Sequence, residues 1–249
     1  MASITWLGHS TVIVELGGTQ LLTDPVLRPR VAHLVRVADA VGMPAPVDGV
    51  LLSHLHRDHA DLPTLRRLPG VPVIGPPGTR RLLNRVGTGP IRELRPGQEA
   101  RAGGLTVRAT PAEHDGRRQP VGAPVEALGF VVEGEQRVYF AGDTDVFAGM
   151  AELAEPRIDV ALLPVWGWGR KLGPGHLDPV RAARAVALLR PRIVVPIHWG
   201  TYESIRIGGH RRLARDEPAQ AFTAFAAGEA PGVEVVVLAP GEVLELTAS

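Results

Sequence analysis

The sequence contains no cysteine among its 249 residues. That absence excludes disulfide bonds, cysteine nucleophiles, iron–sulfur clusters and thiolate metal sites together. A metal bound by this chain must therefore be held by imidazole, carboxylate, carbonyl or water ligands. Nine histidines are present to supply such ligands.

Lysine and serine are also scarce, and the charges almost cancel. Lys171 is the only lysine and lies in Arg-Lys-Leu, so the Gly-Lys-Ser/Thr triplet of a phosphate-binding P-loop is absent. None of the five serines lies in the G-x-S-x-G pattern of a serine hydrolase. The formal net charge of +1 provides no overall field that would attract nucleic acid, and no nucleic-acid partner is expected.

Long apolar runs and a basic N-terminal start are missing as well. No uncharged apolar stretch approaches the ~20 residues that a membrane-spanning helix needs. Residues 1–17 lack the basic start of an export signal, and Glu15 interrupts their apolar run. We therefore expect a cytoplasmic protein without a membrane span.

The apolar pattern predicts a layered α/β fold that forms one domain over residues 1–249. Short runs rich in β-branched and apolar residues predict strands at 4–7, 11–16, 19–24, 50–53, 71–74, 105–110, 128–133, 137–142, 160–165, 192–197, 233–239 and 242–246. Amphipathic segments predict helices at 62–68, 79–86, 178–190 and 217–228. Two strand-rich blocks, each followed by helices, indicate two sheets packed face to face with helices outside.

The segment LLSHLHRDHADL at 51–62 places four potential metal ligands directly after a predicted buried strand. His54, His56, Asp58 and His59 follow the pattern H-x-H-x-D-H. This spacing puts the four side chains on neither one helix face nor one strand face, and it suits a loop that folds around a small cation. Imidazole and carboxylate donors match zinc, manganese or iron. The alternative is an accidental cluster in a solvated loop.

One loop cannot close a metal site, and three further candidates lie where predicted strands end. His114, Asp143 and His198 each follow such a strand. The loops at the ends of buried strands are the usual place for an active site in α/β proteins. Taken singly, a histidine after a strand is more often structural than a ligand, and Gly-Asp-Thr is a common turn. Their joint recurrence at strand ends favours one shared site.

The H-x-H-x-D-H loop, His114, the Gly-Asp-Thr at Asp143 and the late His198 together resemble the metallo-β-lactamase superfamily. The resemblance covers nearly the whole chain in the right order and implies that superfamily's fold, a four-layer αββα sandwich of two mixed β-sheets flanked by helices. The segments WLGHST, LLTDP, GHLDPVRAA and PIHWGTY are similar to one branch of it. That branch contains the ascorbate-6-phosphate lactonases and the N-acylphosphatidylethanolamine-hydrolysing phospholipase D. The combination indicates a branch and does not specify a substrate.

The resemblance implies a site for two divalent metal ions, with zinc as the first choice and manganese and iron as alternatives. One ion would be held by His54, His56 and His114, the other by Asp58, His59 and His198, and Asp143 would bridge them. Two cations that lie close together need an anion between them, which suits a carboxylate. A metal-bound hydroxide between the ions would be the nucleophile, because metal binding lowers the pKa of water towards neutrality.

Further residues are predicted to contact the substrate. The resemblance places His176 at the mouth of the site, where it would bind a substrate oxygen or protonate the leaving group, and we count it with Asp58 as catalytic. The alternative is that His176 orients its own loop. Trp166 and Trp168 would form an apolar wall over the substrate, or else close the edge of the core. Arg118 suits a phosphate on the substrate, although a solvated arginine is the alternative.

The remaining histidines and one acidic residue receive weaker predictions. His9, in LGHS, and Asp24, in LTDP, are similar to branch positions near the metals, where they would orient the ligands. Either could equally be a turn residue. His33 and His210 have no assigned partner and are expected to be exposed.

These features predict a metal-dependent hydrolase that cleaves an ester, lactone or phosphodiester bond of a small-molecule substrate. The alternative is a non-catalytic module that binds a metal or a metabolite on the same fold. All seven candidate ligand positions are filled, and non-catalytic relatives tend to lose ligands, so an enzyme is favoured. The missing cysteine indicates an all-His/Asp site rather than a cysteine-ligated one.

Overall fold

The apolar segments of the chain form two seven-stranded sheets and one three-stranded sheet. The structure is a computed structural model, and it describes residues 2–118, 124–167, 172–205 and 217–247. The strands are β1 (Ala2–Gly8), β2 (Thr11–Leu16), β3 (Thr19–Thr23), β4 (Arg30–Val31), β5 (Leu34–Arg36), β6 (Gly49–Leu51), β7 (Val73–Gly75), β8 (Ile91–Glu93), β9 (Glu99–Ala102), β10 (Leu105–Asp115), β11 (Glu126–Glu133), β12 (Arg137–Phe140), β13 (Val160–Pro164), β14 (Ile193–Ile197), β15 (Tyr202–Ser204), β16 (Glu234–Val235) and β17 (Val243–Glu245). The α-helices are α1 (Leu62–Leu65), α2 (Thr79–Leu83), α3 (Pro179–Leu189) and α4 (Glu217–Glu229), and a 3-10 helix spans Met150–Ala154.

The two large sheets share one design, because each is antiparallel in one half and parallel in the other. The first has the order β17-β1-β2-β3-β6-β7-β8 and is parallel from β3 to β8. The second has the order β16-β14-β13-β12-β11-β10-β9 and is parallel from β12 to β16. Asp24 and Ser53 follow parallel strands of the first sheet, and Asp143 and His198 follow parallel strands of the second. These four polar residues therefore lie at the carboxyl ends of parallel strands, where active sites of α/β proteins usually lie.

Four layers result from the way these sheets bury their apolar faces. The inner face of the first sheet, including Trp6, lies in one apolar cluster with residues of the second sheet such as Phe130. Helices α3 and α4 contribute Val186 and Phe222 to the same cluster. Helices α1 and α2 pack instead on the outer face of the first sheet, in a second cluster that contains Leu65. The predicted αββα sandwich of two mixed sheets is confirmed.

Helix α3 is the best-defined helical prediction, and its ends follow the expected chemistry. The side chain of Asp178 caps the helix by accepting the backbone N–H of Arg181, and Pro179 occupies the first turn. Ala182, Val186 and Leu189 are buried, which is the spacing of one helix face. None of the helices within the described ranges combines the length and the apolar character needed to cross a membrane.

Several strands differ from the predicted ones. Strand β10 continues to Asp115, so His114 lies on the strand and not in a loop after it. The pairing of β10 with β11 shifts register between Pro111 and Asp115. Such an irregularity keeps the backbone extended but changes the face of the sheet to which the following side chains point. Of the predicted strand 233–239, only Glu234–Val235 pairs as a strand. The next residue, Val236, still donates its backbone N–H to the carbonyl of Val194 at 2.9 Å, and Val237 is exposed.

The third sheet was not predicted, because its strands are two or three residues long and pair across long sequence separations. Strand β5 pairs with β4 next to it and with β15, which lies about 170 residues later in the chain. The hydroxyl of Tyr202 donates to the carbonyl of Arg28 at 2.7 Å and ties β15 to the segment before the hairpin. The segment from β4 to β5 is therefore fixed beside the residues that follow His198.

Strain at the β4–β5 turn gives a testable prediction. Ala32 has φ of +50°, and at the first position of a two-residue turn this favours glycine, because a Cβ in the left-handed region costs roughly 1 kcal/mol. Since Ala32 is exposed, its methyl group adds no core packing. Glycine also adds ~0.4–1 kcal/mol of unfolded-state entropy, which offsets part of this relief. We therefore expect Ala32→Gly to raise the free energy of unfolding by up to about 0.5 kcal/mol, measured by urea denaturation. The exposed Ala40, whose φ is not positive, is the control; Ala40→Gly should lower stability or leave it unchanged. Loss of stability in Ala32→Gly would contradict the strain.

Candidate metal centre

The structure brings all seven predicted metal ligands to one place between the carboxyl ends of the parallel strands. Their donor atoms form adjoining groups, within each of which the atoms lie within 4.8 Å of one another. Four groups are found among the described residues: His54, His56 and His114; His9, Asp58, His59 and His198; His114, Asp143 and His176; and Asp24, His54 and His59. His54, His59 and His114 each belong to two groups and so connect them. His9 and Asp24, which were predicted to orient the ligands, lie within the same distance of these donors.

Two donors of the first group have the spacing of ligands around one tetrahedral ion. His114 Nε2 lies 3.3 Å from His56 Nδ1. Two nitrogens bound to one tetrahedral zinc ion lie about 3.3–3.4 Å apart, because each Zn–N bond is ~2.0–2.1 Å long. His114 Nδ1 lies 2.8 Å from the carbonyl oxygen of Gly175, which can only accept, so Nδ1 carries the proton. His114 therefore directs the lone pair of Nε2 towards His56.

Ser53 and Asp24 fix the histidines of the H-x-H-x-D-H loop from behind. Asp24 Oδ2 accepts the Ser53 hydroxyl at 2.5 Å and contacts His59 Nδ1 at 2.7 Å, and Asp24 Oδ1 accepts the Ser53 backbone N–H at 2.8 Å. Because the Ser53 proton is used on Asp24, its oxygen accepts from His54 Nδ1 at 2.9 Å. Both histidines thus hold their protons on Nδ1 and present Nε2 to the centre of the cluster. This is the usual way in which outer groups orient metal-binding histidines.

Asp143 lies between imidazoles from both sheets. Its Oδ2 is 3.4 Å from His59 Nε2, and its Oδ1 is 3.3 Å from His198 Nε2. Gly142, with φ of +61°, lies so close to Ser53 that a Cβ on it would overlap the serine side chain. The glycine of the Gly-Asp-Thr turn is therefore what lets the two sheets approach each other at this point.

The N-terminal LGHS segment and the late PIHWGTY segment hold each other beside these donors. The backbone N–H of His198 donates to the carbonyl of His9 at 2.9 Å, and the His9 N–H donates to Thr201 Oγ1 at 2.7 Å. Both histidines have positive φ, +54° for His9 and +63° for His198. Such backbone strain costs ~1–3 kcal/mol and persists where the surroundings over-determine it, which is typical of functional sites.

Burial decides the protonation of most of these imidazoles. Burial lowers the pKa of His54, His56 and His114, and it lowers that of His198 to about 3. These four rings are neutral at pH 7 and can offer a lone pair to a metal ion.

His59 and Asp143 behave differently because they face each other. Burial opposes the charge on His59, but Asp143 and Asp24 raise its pKa well above the usual range. Burial likewise opposes the charge on Asp143, but His198 and His59 hold its pKa well below the usual range. Without a metal, the proton on His59 balances the two carboxylates. A cation that binds here must displace that proton, so metal binding would be coupled to proton release.

The donor set fits divalent metal ions. His54 Nε2 is buried and makes no hydrogen bond within the described residues. An unpaired buried nitrogen costs about 1–3 kcal/mol unless something binds it. Neutral imidazoles with carboxylates between them are the ligands that zinc, manganese and iron accept. The residues present therefore suit the metals that the sequence predicted.

The other predicted site residues lie around this cluster in different ways. His176 is half-buried, and its Nε2 lies 3.9 Å from Asp143 Oδ2. Trp166 packs on the edge of the core, and its carbonyl oxygen lies 2.6 Å from His198 Nδ1, which fixes the proton of that ring. Arg118 Nη1 donates to the carbonyls of Leu55 and Ala60, so it braces the metal-binding loop. Trp168 and His210 lie outside the described residues.

Two contributors to the site were missed at the sequence level. Ser53 directly precedes His54, but its role depends on Asp24, which lies 29 residues earlier. His33 is half-buried and lines a cavity beside His56, whereas it was expected to be exposed. Neither has a sequence signal of its own, because both depend on contacts between distant segments.

Comparison with known proteins agrees with the fold. A family model described as a β-lactamase superfamily domain matches residues 19–199. The chain belongs to the metallo-β-lactamase superfamily.

Several relatives are similar over most of their length. A UPF0173 protein of Pyrococcus furiosus is 35% identical over 200 residues, covering 80% of this chain and 84% of the relative. A protein of Opitutus terrae named UPF0173 metal-dependent hydrolase is 33% identical over 257 residues, covering 98% and 99% of the two chains. Among solved structures, Igni18 of Ignicoccus hospitalis, described as a novel metallo hydrolase, superposes with a TM-score of 0.72 at 27% identity over 99% of both chains.

Proposed function

We propose that this protein is a metal-dependent hydrolase with a dinuclear centre that cleaves an ester, lactone or phosphodiester bond of a small molecule. The observation that carries the proposal is the direction of the donors. In His54, His59, His114 and His198, Nδ1 is engaged by an outer group, which leaves Nε2 for the centre. Relatives named metal-dependent hydrolases, such as that of Opitutus terrae, support the reaction class.

The proposed ligand sets follow the groups of donor atoms. One ion would be held by His54, His56 and His114, the other by Asp58, His59 and His198, with Asp143 between them and His9 next to the second set. Divalent ions at such a site lower the pKa of water, so that hydroxide is available near neutral pH, and they polarise carbonyl or phosphoryl oxygens. Zinc is the first choice, and manganese and iron accept the same donors.

The protein's own groups position the reactants. The carbonyls of Gly175 and Trp166 and the carboxylate of Asp24 hold the ligand rings in fixed orientations, which is needed for a preorganised site. His176 is half-exposed next to Asp143, and we assign it to binding a substrate oxygen or donating a proton to the leaving group.

Metal analysis of the purified protein tests the centre. We expect two divalent ions per chain in the wild type and at most one in His56→Ala, because that imidazole is one of three in the first set. His33→Ala is the matched control and should keep both ions, since His33 lies outside the donor groups. A folded wild type that binds no divalent ion would overturn the proposal.

Turnover separates an enzyme from the non-catalytic alternative. The metallated protein is screened with bis-p-nitrophenyl phosphate, p-nitrophenyl esters and simple lactones. Hydrolysis that is lost together with the metal in His56→Ala supports the enzyme. Two bound ions without hydrolysis of any of these classes would favour the metal- or metabolite-binding module.

A further inference from the structure

A cavity of about 460 Å³ adjoins the metal centre on the side of His56 and Asp58. Its size falls in the ~300–1,000 Å³ range of small-molecule sites. Part of its wall is the β4–β5 hairpin, which contributes the apolar Val31 and Leu34 together with His33. Strand β15 pairs with β5 and so fixes this wall to the segment that follows His198. The cavity is thus built by this hairpin together with the metal-binding loop and the end of β10, and the last two carry proposed ligands.

Another part of the cavity wall is rich in arginine. Arg57, Arg117 and Arg118 line it, together with the two carboxylates Asp58 and Asp115. Asp115 Oδ2 lies 2.6 Å from Arg117 Nη2, so these two charges compensate each other. Asp58 is assigned to the metals. Neither Arg57 nor Arg118 forms an ion pair with a described carboxylate, although Asp61 and Asp58 lie close enough to Arg118 to act on its charge.

These two arginines differ in how they are held. Arg118 is half-buried, and Nη1 is fixed by the carbonyls of Leu55 and Ala60. Arg57 is exposed between His56 and Asp58 in the metal-binding loop, and no hydrogen bond or ion pair links it to a described residue. Burial and the charge of Arg57 lower the pKa of Arg118, whereas Asp61 and Asp58 raise it. An anion bound in the cavity next to both guanidinium groups would relieve the repulsion between them.

We propose that this cavity binds the anionic group of the substrate, a carboxylate or a phosphate, through Arg57 and the wall held by Arg118. The inference rests on the proposed hydrolase function, because it places the anion beside the bond to be cleaved. The hairpin residues Ala32 and His33, which line the cavity and are accessible, then contact the part of the substrate between the anion and that bond. The substrate class is an anionic ester, lactone or phosphodiester of small size.

Binding of simple anions tests the proposal without turnover. Glutarate and glycerol phosphate are titrated calorimetrically into the metallated protein. We expect Arg57→Gln to raise the Kd of the preferred anion about tenfold, which corresponds to about 1.4 kcal/mol. Arg67→Gln is the matched control, because Arg67 is also exposed but does not line the cavity. The anion whose Kd rises more in Arg57→Gln shows whether the cavity prefers a carboxylate or a phosphate. Equal Kd values in Arg57→Gln and Arg67→Gln, at equal metal content, would refute the inference.

A substrate pair connects the cavity to catalysis. Mono-p-nitrophenyl glutarate carries a carboxylate that p-nitrophenyl pentanoate lacks. In Arg57→Gln, the ratio of kcat/KM for the anionic ester to that for the neutral ester should fall about tenfold, whereas Arg67→Gln should keep the wild-type ratio. An unchanged ratio in Arg57→Gln counts against the cavity while the hydrolase function stands. If neither ester is cleaved by any form, the proposed function is in question and the Kd comparison alone decides the inference.

Discussion

Asp143→Asn is expected to lower kcat/KM for any hydrolysed substrate about a thousandfold and to reduce the bound metal below two ions per chain. The carboxylate is buried, with its two oxygens 3.4 Å from His59 Nε2 and 3.3 Å from His198 Nε2. Asparagine keeps the shape but removes the charge and turns an NH₂ group towards the centre. Removing one partner of a buried charge pair costs ~3–5 kcal/mol, and ~4 kcal/mol is about a thousandfold in rate.

The measurement combines metal content with steady-state kinetics on the best probe from the substrate screen. Asp145→Asn is the control, because Asp145 is two residues away and pairs with Arg181 at 2.5 Å outside the donor groups. We expect Asp145→Asn to retain both ions. If Asp143→Asn kept two ions and activity within tenfold of the wild type, Asp143 could not be the carboxylate between the metals.

The metal-binding loop could be predicted because its signal is local. His54, His56, Asp58 and His59 lie within six residues, and β6 directly before them is buried on every residue. His198 and Asp143 could be added because each follows a strand that short apolar runs define well. Strand ends meet at the same edge of a sheet, so the sequence order alone suggested that they converge.

The cavity beside the metal centre could not be predicted, because it is built by segments that lie far apart in the sequence. The β4–β5 hairpin has strands of two and three residues, too short for a readable alternation, and it depends on β15 for its position. His33 lines the cavity only because this pairing forms. Arg57 was not singled out because an arginine between two predicted ligands matches no sequence motif, and the cavity that it lines is visible only in the folded chain.

The positions of the protons connect the fold to the proposed chemistry. Four imidazoles direct Nδ1 to an oxygen outside the centre: Ser53 Oγ, Asp24 Oδ2, and the carbonyls of Gly175 and Trp166. Three of these oxygens, those of Asp24, Ser53 and Trp166, belong to residues within two positions of a strand end, and all four are set by tertiary contacts. The ligand types are therefore encoded locally, whereas their tautomers are encoded by the packing of the whole sandwich.

Asp24→Asn is expected to weaken metal binding about 10–100-fold at the set that contains His59, with a parallel loss of activity at limiting metal. Asp24 accepts three hydrogen bonds, two from Ser53 and one from His59 Nδ1. Asparagine has only one acceptor oxygen, so its NH₂ group would face Ser53 Oγ and His59. The proton of His59 would then move to Nε2, where it blocks the metal. Asp24 has φ of +32°, and asparagine tolerates this backbone region better than most residues.

The control for Asp24→Asn is Asp61→Asn, because Asp61 is also buried and multiply hydrogen-bonded. It caps α1 and binds Arg28, away from the donor groups, so it should cost stability without changing metal affinity. Added metal should restore much of the activity of Asp24→Asn, since the ligands themselves are intact, but little of that of Asp143→Asn. The ¹⁵N shifts of the His59 ring should report the tautomer directly. Unchanged metal affinity together with an unchanged His59 tautomer would show that Asp24 supports the fold and does not orient the ligand.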